Sequence, residues 1–364
     1  MIDALDGLEG VVAAETILSE VDGAVGRLTI RGHSLDALAG RVSYEAVVRL
    51  LLGGFFPDLP QDVRPALGAA RAEVFAETRA IDAALERLTP TEAMRALTAR
   101  IADGEDLGAA LRLIAAPAVF TTAVLRRQAR EAPLAPDPAL GHAADILRML
   151  RGRPAAAAEA GGLDTYLVTV SDHGLNASTF AARVVASTRA GLTSAVLAGV
   201  SALKGPLHGG APGPVIEMLD AIGRPDNARA WLEAALDRGD RLMGFGHRIY
   251  RVRDPRADAL KRAVRTLIEG SNALPGRLAF AEAVEQAALG ILKDRKPDRS
   301  LETNVEFYTA LLLEALAIPP SAFTCVFAMG RVAGWIAHAR EQLRAGRLIR
   351  PQSRYVGEVP RAAA

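Results

Sequence analysis

Only one stretch of this chain is written as paired strands. Between Gly7 and Gly32, two β-leaning runs flank Asp22-Gly23, a dipeptide suited to the tight turn of an antiparallel hairpin. Elsewhere alanine, leucine and arginine dominate and aromatic residues make up 5%, a composition that favours helices over sheets. With 364 residues the chain can bury a large core and has room for two domains. The expected class is therefore mainly α, with a small N-terminal β-hairpin.

Capping residues place several helices. Ser43 caps a helix through YEAVVRLLL that Gly53-Gly54 ends. Thr89-Pro90-Thr91-Glu92 is a capping box with proline at the first helical position; Met94, Leu97 and Ile101 follow on one face, and Gly104 is the expected stop. Helical patterns run through 107–130 and 139–151, with His142 read as structural, and the Ala-rich stretch 154–162 reads as an exposed link or helix end. Asn176 or Ser178 opens a further helix expected to turn Phe180, Val184 and Val185 inward, and another covers about 191–203.

The charge balance narrows the partners. A net charge of +1 gives no global attraction to nucleic acid or an acidic membrane, so clustered arginines read as small-ligand sites. Cys325, the single cysteine, excludes an intrachain disulfide and sits in an apolar run as a small buried hydrophobe. The first ten residues lack a signal-peptide pattern, and the apolar window 113–125 is short for a membrane span and contains Pro117. A soluble, cytoplasmic protein is expected. The six histidines are widely spaced, no CxxC or HExxH spacing occurs, and Gly244-Phe245-Gly246 lacks the rest of a dinucleotide fingerprint. Neither a metal nor a cofactor is expected.

Chemistry concentrates between Leu203 and Arg256, which reads LKGPLHGGAPGPVIEML, a helical spacer, and RLMGFGHRIYRVRDPRA. His208 and His247 each stand beside glycines, which let the backbone approach a ligand closely. Downstream, Glu306 lies in Asn304-Val305-Glu306-Phe307-Tyr308. Two imidazoles and a carboxylate suit proton removal next to a carbonyl: the carboxylate takes the proton while a histidine hydrogen-bonds the developing enolate oxygen. The arginines imply an anionic substrate, because guanidinium pairs bidentately with carboxylate and phosphate. Arg248 and Arg253 read as solvated surface charges.

The segments GPLHGGA, GFGHRIYRVRDPRA, NVEFY and GRVAGWIAH, in this order, closely resemble citrate synthase, and the resemblance runs from Gly7 almost to the C-terminus. It implies a two-domain helical fold: a discontinuous large domain (1–211 and 311–364) with a small domain (212–310) inserted. It also implies condensation of acetyl-CoA or propionyl-CoA with oxaloacetate, the CoA thioester being a substrate rather than a cofactor. In that scheme His208 hydrogen-bonds the thioester carbonyl, Glu306 is the base and His247 donates to the ketone. His173 in the DHxLNAS pattern, Arg256 and Arg331 hold oxaloacetate; Leu242, Met243, Gly244, Gly246, Arg251 and Asn304 serve CoA. A homodimer is implied, each site completed by the partner's tail, in a short form without NADH control.

The chain departs from the family's pattern twice. Glu306 stands where aspartate is usual, about 1.5 Å longer in reach, in a first helical turn whose dipole favours its ionised form. Gln352 stands where the tail usually bears arginine, so either Arg354 replaces it or the clamp on the substrate is weaker. Both departures also fit an alternative: a catalytically weak relative that binds CoA or a di-acid as a sensor or partner.

Overall fold

The computed structural model describes residues 6–8, 10–209, 213–247, 249–271, 276–299 and 301–358. The expected domain boundary at 211/212 and Arg248 lie outside them.

The hairpin forms, but Asp22 ends the first strand opposite Arg27, and residues 23–26 make a longer loop than the tight turn expected at Asp22-Gly23. Strands β1 (Ser19–Asp22) and β2 (Arg27–Ile30) pair antiparallel with Ser19 opposite Ile30, and Asp22 Oδ1 accepts from Ala24 N–H inside the turn. A two-residue strand, β3 (His33–Ser34), completes the sheet in the order β1-β2-β3; the sequence reading did not include it.

The rest is helical. After the short α1 (Leu35–Leu38) come α2 (Tyr44–Leu52), α3 (Arg64–Phe75), the short α4 (Ala83–Glu86), α5 (Pro90–Thr98) and α6 (Leu107–Gln128). Then follow α7 (His142–Arg151), α8 (Ala157–Val170), α9 (Ala177–Ser187), α10 (Leu192–Leu203), α11 (Gly213–Ile222) and α12 (Ala228–Asp237). The last four are α13 (Pro255–Ser271), α14 (Arg277–Arg295), α15 (Val305–Ala315) and α16 (Phe323–Ala345).

Ser43 caps α2 by accepting from Ala46 N–H, and Thr89 with Glu92 closes the capping box of α5. Two local expectations fail. Helix α5 stops at Thr98, where the Arg100 and Ile101 N–H groups turn back to Leu97 and Thr98, so Ile101 lies beyond it. The Ala-rich stretch takes the second of its two readings, a helix end: α8 begins at Ala157 and sinks into the core from Gly162 onward. In α9 the buried face is Ser178, Thr179, Ala182, Arg183 and Ala186, with Phe180, Val184 and Val185 only half-buried. A buried Arg183 whose side chain bonds Gln342 and His338 turns that helix.

Two helices, α6 and α16, are apolar nearly all round, as helices at the centre of a helical protein are. By length and composition α6 and the run Pro320–Ala345 could each cross a membrane; 89% and 94% of their apolar windows are buried inside the protein. Helix α16 packs against α2, α5, α6, α8, α9 and α10. His142 is structural, buried between Tyr44 and Arg71, and Cys325 is wholly buried.

Two glycines set where α16 meets α8. A Cβ on Gly330 would fall 2.5 Å from Val170 Cγ2, and one on Gly334 2.3 Å from the Ser171 carbonyl oxygen. Only bare backbone permits this approach. It brings Arg331 against the end of α8 and the turn that carries His173.

Candidate active site

Helix α8 runs out at Val170 into Ser171-Asp172-His173-Gly174, and Asn176 then caps α9. Arg183 Nη1, which can only donate, faces His338 Nδ1 at 3.0 Å, and His338 Nε2 lies 3.2 Å from Asp172 Oδ2. Nδ1 is thus the acceptor, and Nε2–H donates to Asp172. Glu341 takes the other side of Arg183 and accepts from Ile17 N–H, and Gly174 N–H donates to Ser19 Oγ. The His173 turn is held between α9, α16 and the hairpin.

Opposite it lies the loop after Phe245. His247 Nδ1 accepts from the backbone N–H of both Ile249 and Tyr250 at 3.0 Å, which leaves the ring proton on Nε2. Arg256 Nη2 stands 3.3 Å from that nitrogen; since both are donors, the contact is an electrostatic one. Burial and then the Arg256 charge push His247 down to about 4. His247 is consequently a neutral N–H donor at physiological pH. Asp254 grips Arg256 through both oxygens (3.0 and 2.8 Å) and accepts from Val305 N–H, fixing the start of α13 to the start of α15.

His173 and His247 meet with ring centroids 5.7 Å apart, and Tyr250 closes the triangle, its hydroxyl 3.1 Å from His173 Nε2. Burial, with Arg256 and Arg331 nearby, holds His173 well below its ordinary value. On the large helix, Arg331 is 1% exposed, donates from Nε to the Val170 carbonyl at 2.5 Å and stacks over Phe327. No carboxylate lies within ion-pair distance of it among the described residues. Burial first, and Arg256 as well, push Arg331 down to about 10, against the pull of Asp172. A buried guanidinium without a counter-ion is costly, and an anionic ligand would supply the missing charge.

Glu306 occupies the first turn of α15, its N–H donating to the capping Asn304 Oδ1. Burial pushes its carboxyl up to about 7, although Arg241 and Arg256 pull it down. The helix N-terminus was expected to favour the ionised form; desolvation outweighs it.

His208 sits in the turn after α10, with Nε2 2.8 Å from Ser178 Oγ. Ser178 Oγ also accepts from Trp335 Nε1–H at 3.1 Å, so one hydroxyl ties His208 to α9 and α16. Burial, then Arg331 and Arg256, push His208 down to about 4. It is neutral, and among the described residues its Nδ1 has no protein partner.

The site therefore brings together His173, His208, His247, Arg256, Glu306 and Arg331 from four separate stretches. Sequence reasoning missed Tyr250, Asp254 and the Ser178–Trp335 pair. Asp254 was visible inside DPRA; the others resembled core or cap residues.

The remaining candidates fall elsewhere. Gly244 and Gly246 give their carbonyls to Asn304, whose N–H and Nδ2 bond them at 2.9 and 2.8 Å. Asn304 is 4% exposed, and its side chain is bonded inside the protein. Leu242 is buried and Met243 half-buried in the same braced loop. Arg251 is exposed, and its N–H donates to the Gly23 carbonyl. Arg253 is not a free surface charge: it pairs with Asp258 and the buried Glu285. Gln352 and Arg354 lie on an exposed extended tail and make no bond to the site of their own chain.

The family model for the citrate synthase C-terminal domain matches residues 7–352. The chain is 37% identical to the citrate synthase of Haloferax volcanii over 97% of its own length and 95% of that protein. It is 36% identical to the 2-methylcitrate synthase of Mycobacterium tuberculosis over 99% and 92%. The Thermoplasma acidophilum citrate synthase, solved as a ternary complex with carboxymethyl coenzyme A and oxaloacetate, superposes with a TM-score of 0.85 at 28% identity, covering 98% of this chain and 97% of that one.

Proposed function

The chain belongs to the citrate synthase family, and from that premise we infer that it is a transferase condensing an acyl-CoA with oxaloacetate to give a citrate-type acid and free CoA. The arrangement that carries this reading is Glu306, poised near neutrality, beside neutral histidines and the unpaired Arg331.

In our reading Arg256 and Arg331 take the oxaloacetate carboxylates, and His173 helps to seat the substrate. Glu306 removes a proton from the carbon next to the thioester carbonyl, while the Nδ1–H of His208, whose Nε2 then accepts from the Ser178 hydroxyl, meets the charge that forms on the carbonyl oxygen. The enol carbon attacks the ketone, whose oxygen takes up the proton offered by His247 Nε2. Water then cleaves the thioester and releases CoA. A base near pH 7 suits this step, since proton transfer works best when the catalytic pKa lies close to the working pH.

The loop 242–246 and Arg251 are proposed to receive CoA, with residues 212–310 forming a small domain that closes over both substrates. We further propose a cytoplasmic homodimer in which the tail bearing Gln352 and Arg354 serves the partner's site, with no cofactor. Relatives named for citrate and for 2-methylcitrate resemble the chain almost equally, so the acyl donor is acetyl-CoA or propionyl-CoA. One methylene in an apolar pocket is worth about 1–3 kcal/mol. The test is thiol release with oxaloacetate and each thioester, compared as kcat/KM. Release with one establishes the donor; none with either, despite CoA binding, would sink the condensing role.

A further inference from the structure

Four of the five tyrosine hydroxyls in this chain have partners within it. Tyr44 donates to the Met329 and Gly330 carbonyls, Tyr308 to Glu285, and Tyr355 to the Glu358 carbonyl, while Tyr250 meets His173. Tyr166 is the exception: 1% exposed, it makes no hydrogen bond among the described residues. Its hydroxyl is nevertheless not among the wholly enclosed side-chain atoms that lack a partner, so the oxygen keeps a small opening, and what lies there calls for an explanation.

Its position supplies one. Tyr166 lies one turn before Val170 on α8, so the two share a face. Val170 packs on Gly330 of α16 and gives its carbonyl to Arg331. The charges that act on the Tyr166 hydroxyl are those of Arg331, Arg256 and Glu306, which come from three other helices and belong to the site. Arg331 is itself buried without a counter-ion among the described residues.

We propose that Tyr166 is an oxaloacetate-binding residue whose hydroxyl donates a hydrogen bond to the substrate carboxylate held by Arg331. One carboxylate would then meet both the Tyr166 hydroxyl and the Arg331 guanidinium. This rests on oxaloacetate being the substrate.

The test is Tyr166→Phe, which keeps the ring and removes only the hydroxyl. Losing a hydrogen bond to a charged ligand should raise the KM for oxaloacetate about tenfold or more, with the KM for acyl-CoA unchanged. Thermal stability of the ligand-free variant should stay close to that of the parent, because the hydroxyl holds no hydrogen-bond partner within the described residues. An unchanged oxaloacetate KM overturns the proposal. So does a variant that melts earlier and loses affinity for both substrates, the mark of a packing role. Calorimetric titration of oxaloacetate into both proteins separates this inference from the reading beneath it. If the parent binds oxaloacetate but releases no thiol, the condensing reading fails alone. If the parent turns over and the variant binds oxaloacetate equally well, the Tyr166 assignment fails alone.

Discussion

Glu306 is held near pH 7 by burial against the pull of two arginines, and this has a catalytic and a structural consequence. As base it must be ionised, so kcat/KM should climb as pH rises through about 7 and level off above it. Glu306→Gln should lower kcat by about 10²–10⁴-fold. For stability the sign is opposite. The folded carboxyl titrates near 7 and the unfolded one near 4.5, so the stability due to the buried neutral acid is complete below 4.5 and falls as pH rises towards and through 7. The glutamine variant should therefore melt above the parent at pH 8 and match it below pH 4.5, as thermal denaturation at the two pH values will record. The site residues most legible in the sequence were those whose chemistry is unambiguous in a glycine-rich turn, His208 and His247. Tyr166 and Ser178 were not, because a phenol or hydroxyl inside a helical pattern is spaced like a core or capping residue, and only the packing of α8, α9 and α16 gives it a role.

At the scale of elements, caps were readable because they are local chemistry: Ser43 and Thr89 with Glu92 act where they were placed, and Asp22-Gly23 marks the hairpin although its loop is longer than the tight turn expected. The open and failed points were tertiary. Nothing within residues 154–162 decides between an exposed link and a helix end, and the roll of α9 depends on Arg183 meeting residues about 155 positions away. Two glycines test the packing directly. Gly334→Ala forces a Cβ onto the Ser171 carbonyl oxygen, 2.3 Å away, and should cost about 1–3 kcal/mol while displacing His173. Gly161→Ala, in α8 with nothing within 4 Å of its new Cβ, should gain about 0.5–1 kcal/mol. Denaturant titration of the pair gives both values, and oxaloacetate KM should rise only in the first.

For the molecule as a whole, the exposed tail carries a test of the proposed dimer. Residues 351–358 make no hydrogen bond to the rest of their own chain, and Tyr355 and Val356 are 73% and 85% exposed. Ending the chain at Arg350 should leave its thermal stability close to the parent's. If the tail works in a partner's site, turnover should fall sharply even though every residue of the chain's own site remains. Full activity in the shortened protein, or a single-chain mass by sedimentation, would count against the shared site.

The contact between the hairpin and the catalytic loop also bears on how the protein is made. Arg251 N–H bonds the Gly23 carbonyl, and a Cβ on Gly23 would fall 2.3 Å from the Ile249 carbonyl oxygen, so two pieces of chain separated by about 230 residues must find each other closely. At ribosomal speeds of about 5–20 residues per second, the hairpin waits roughly 10–45 s for its partner. A pairing of such long range is slow to form even in the finished chain. The loop carrying His247 should thus be among the last parts to acquire its native shape, so that activity during refolding lags behind the return of helical circular dichroism.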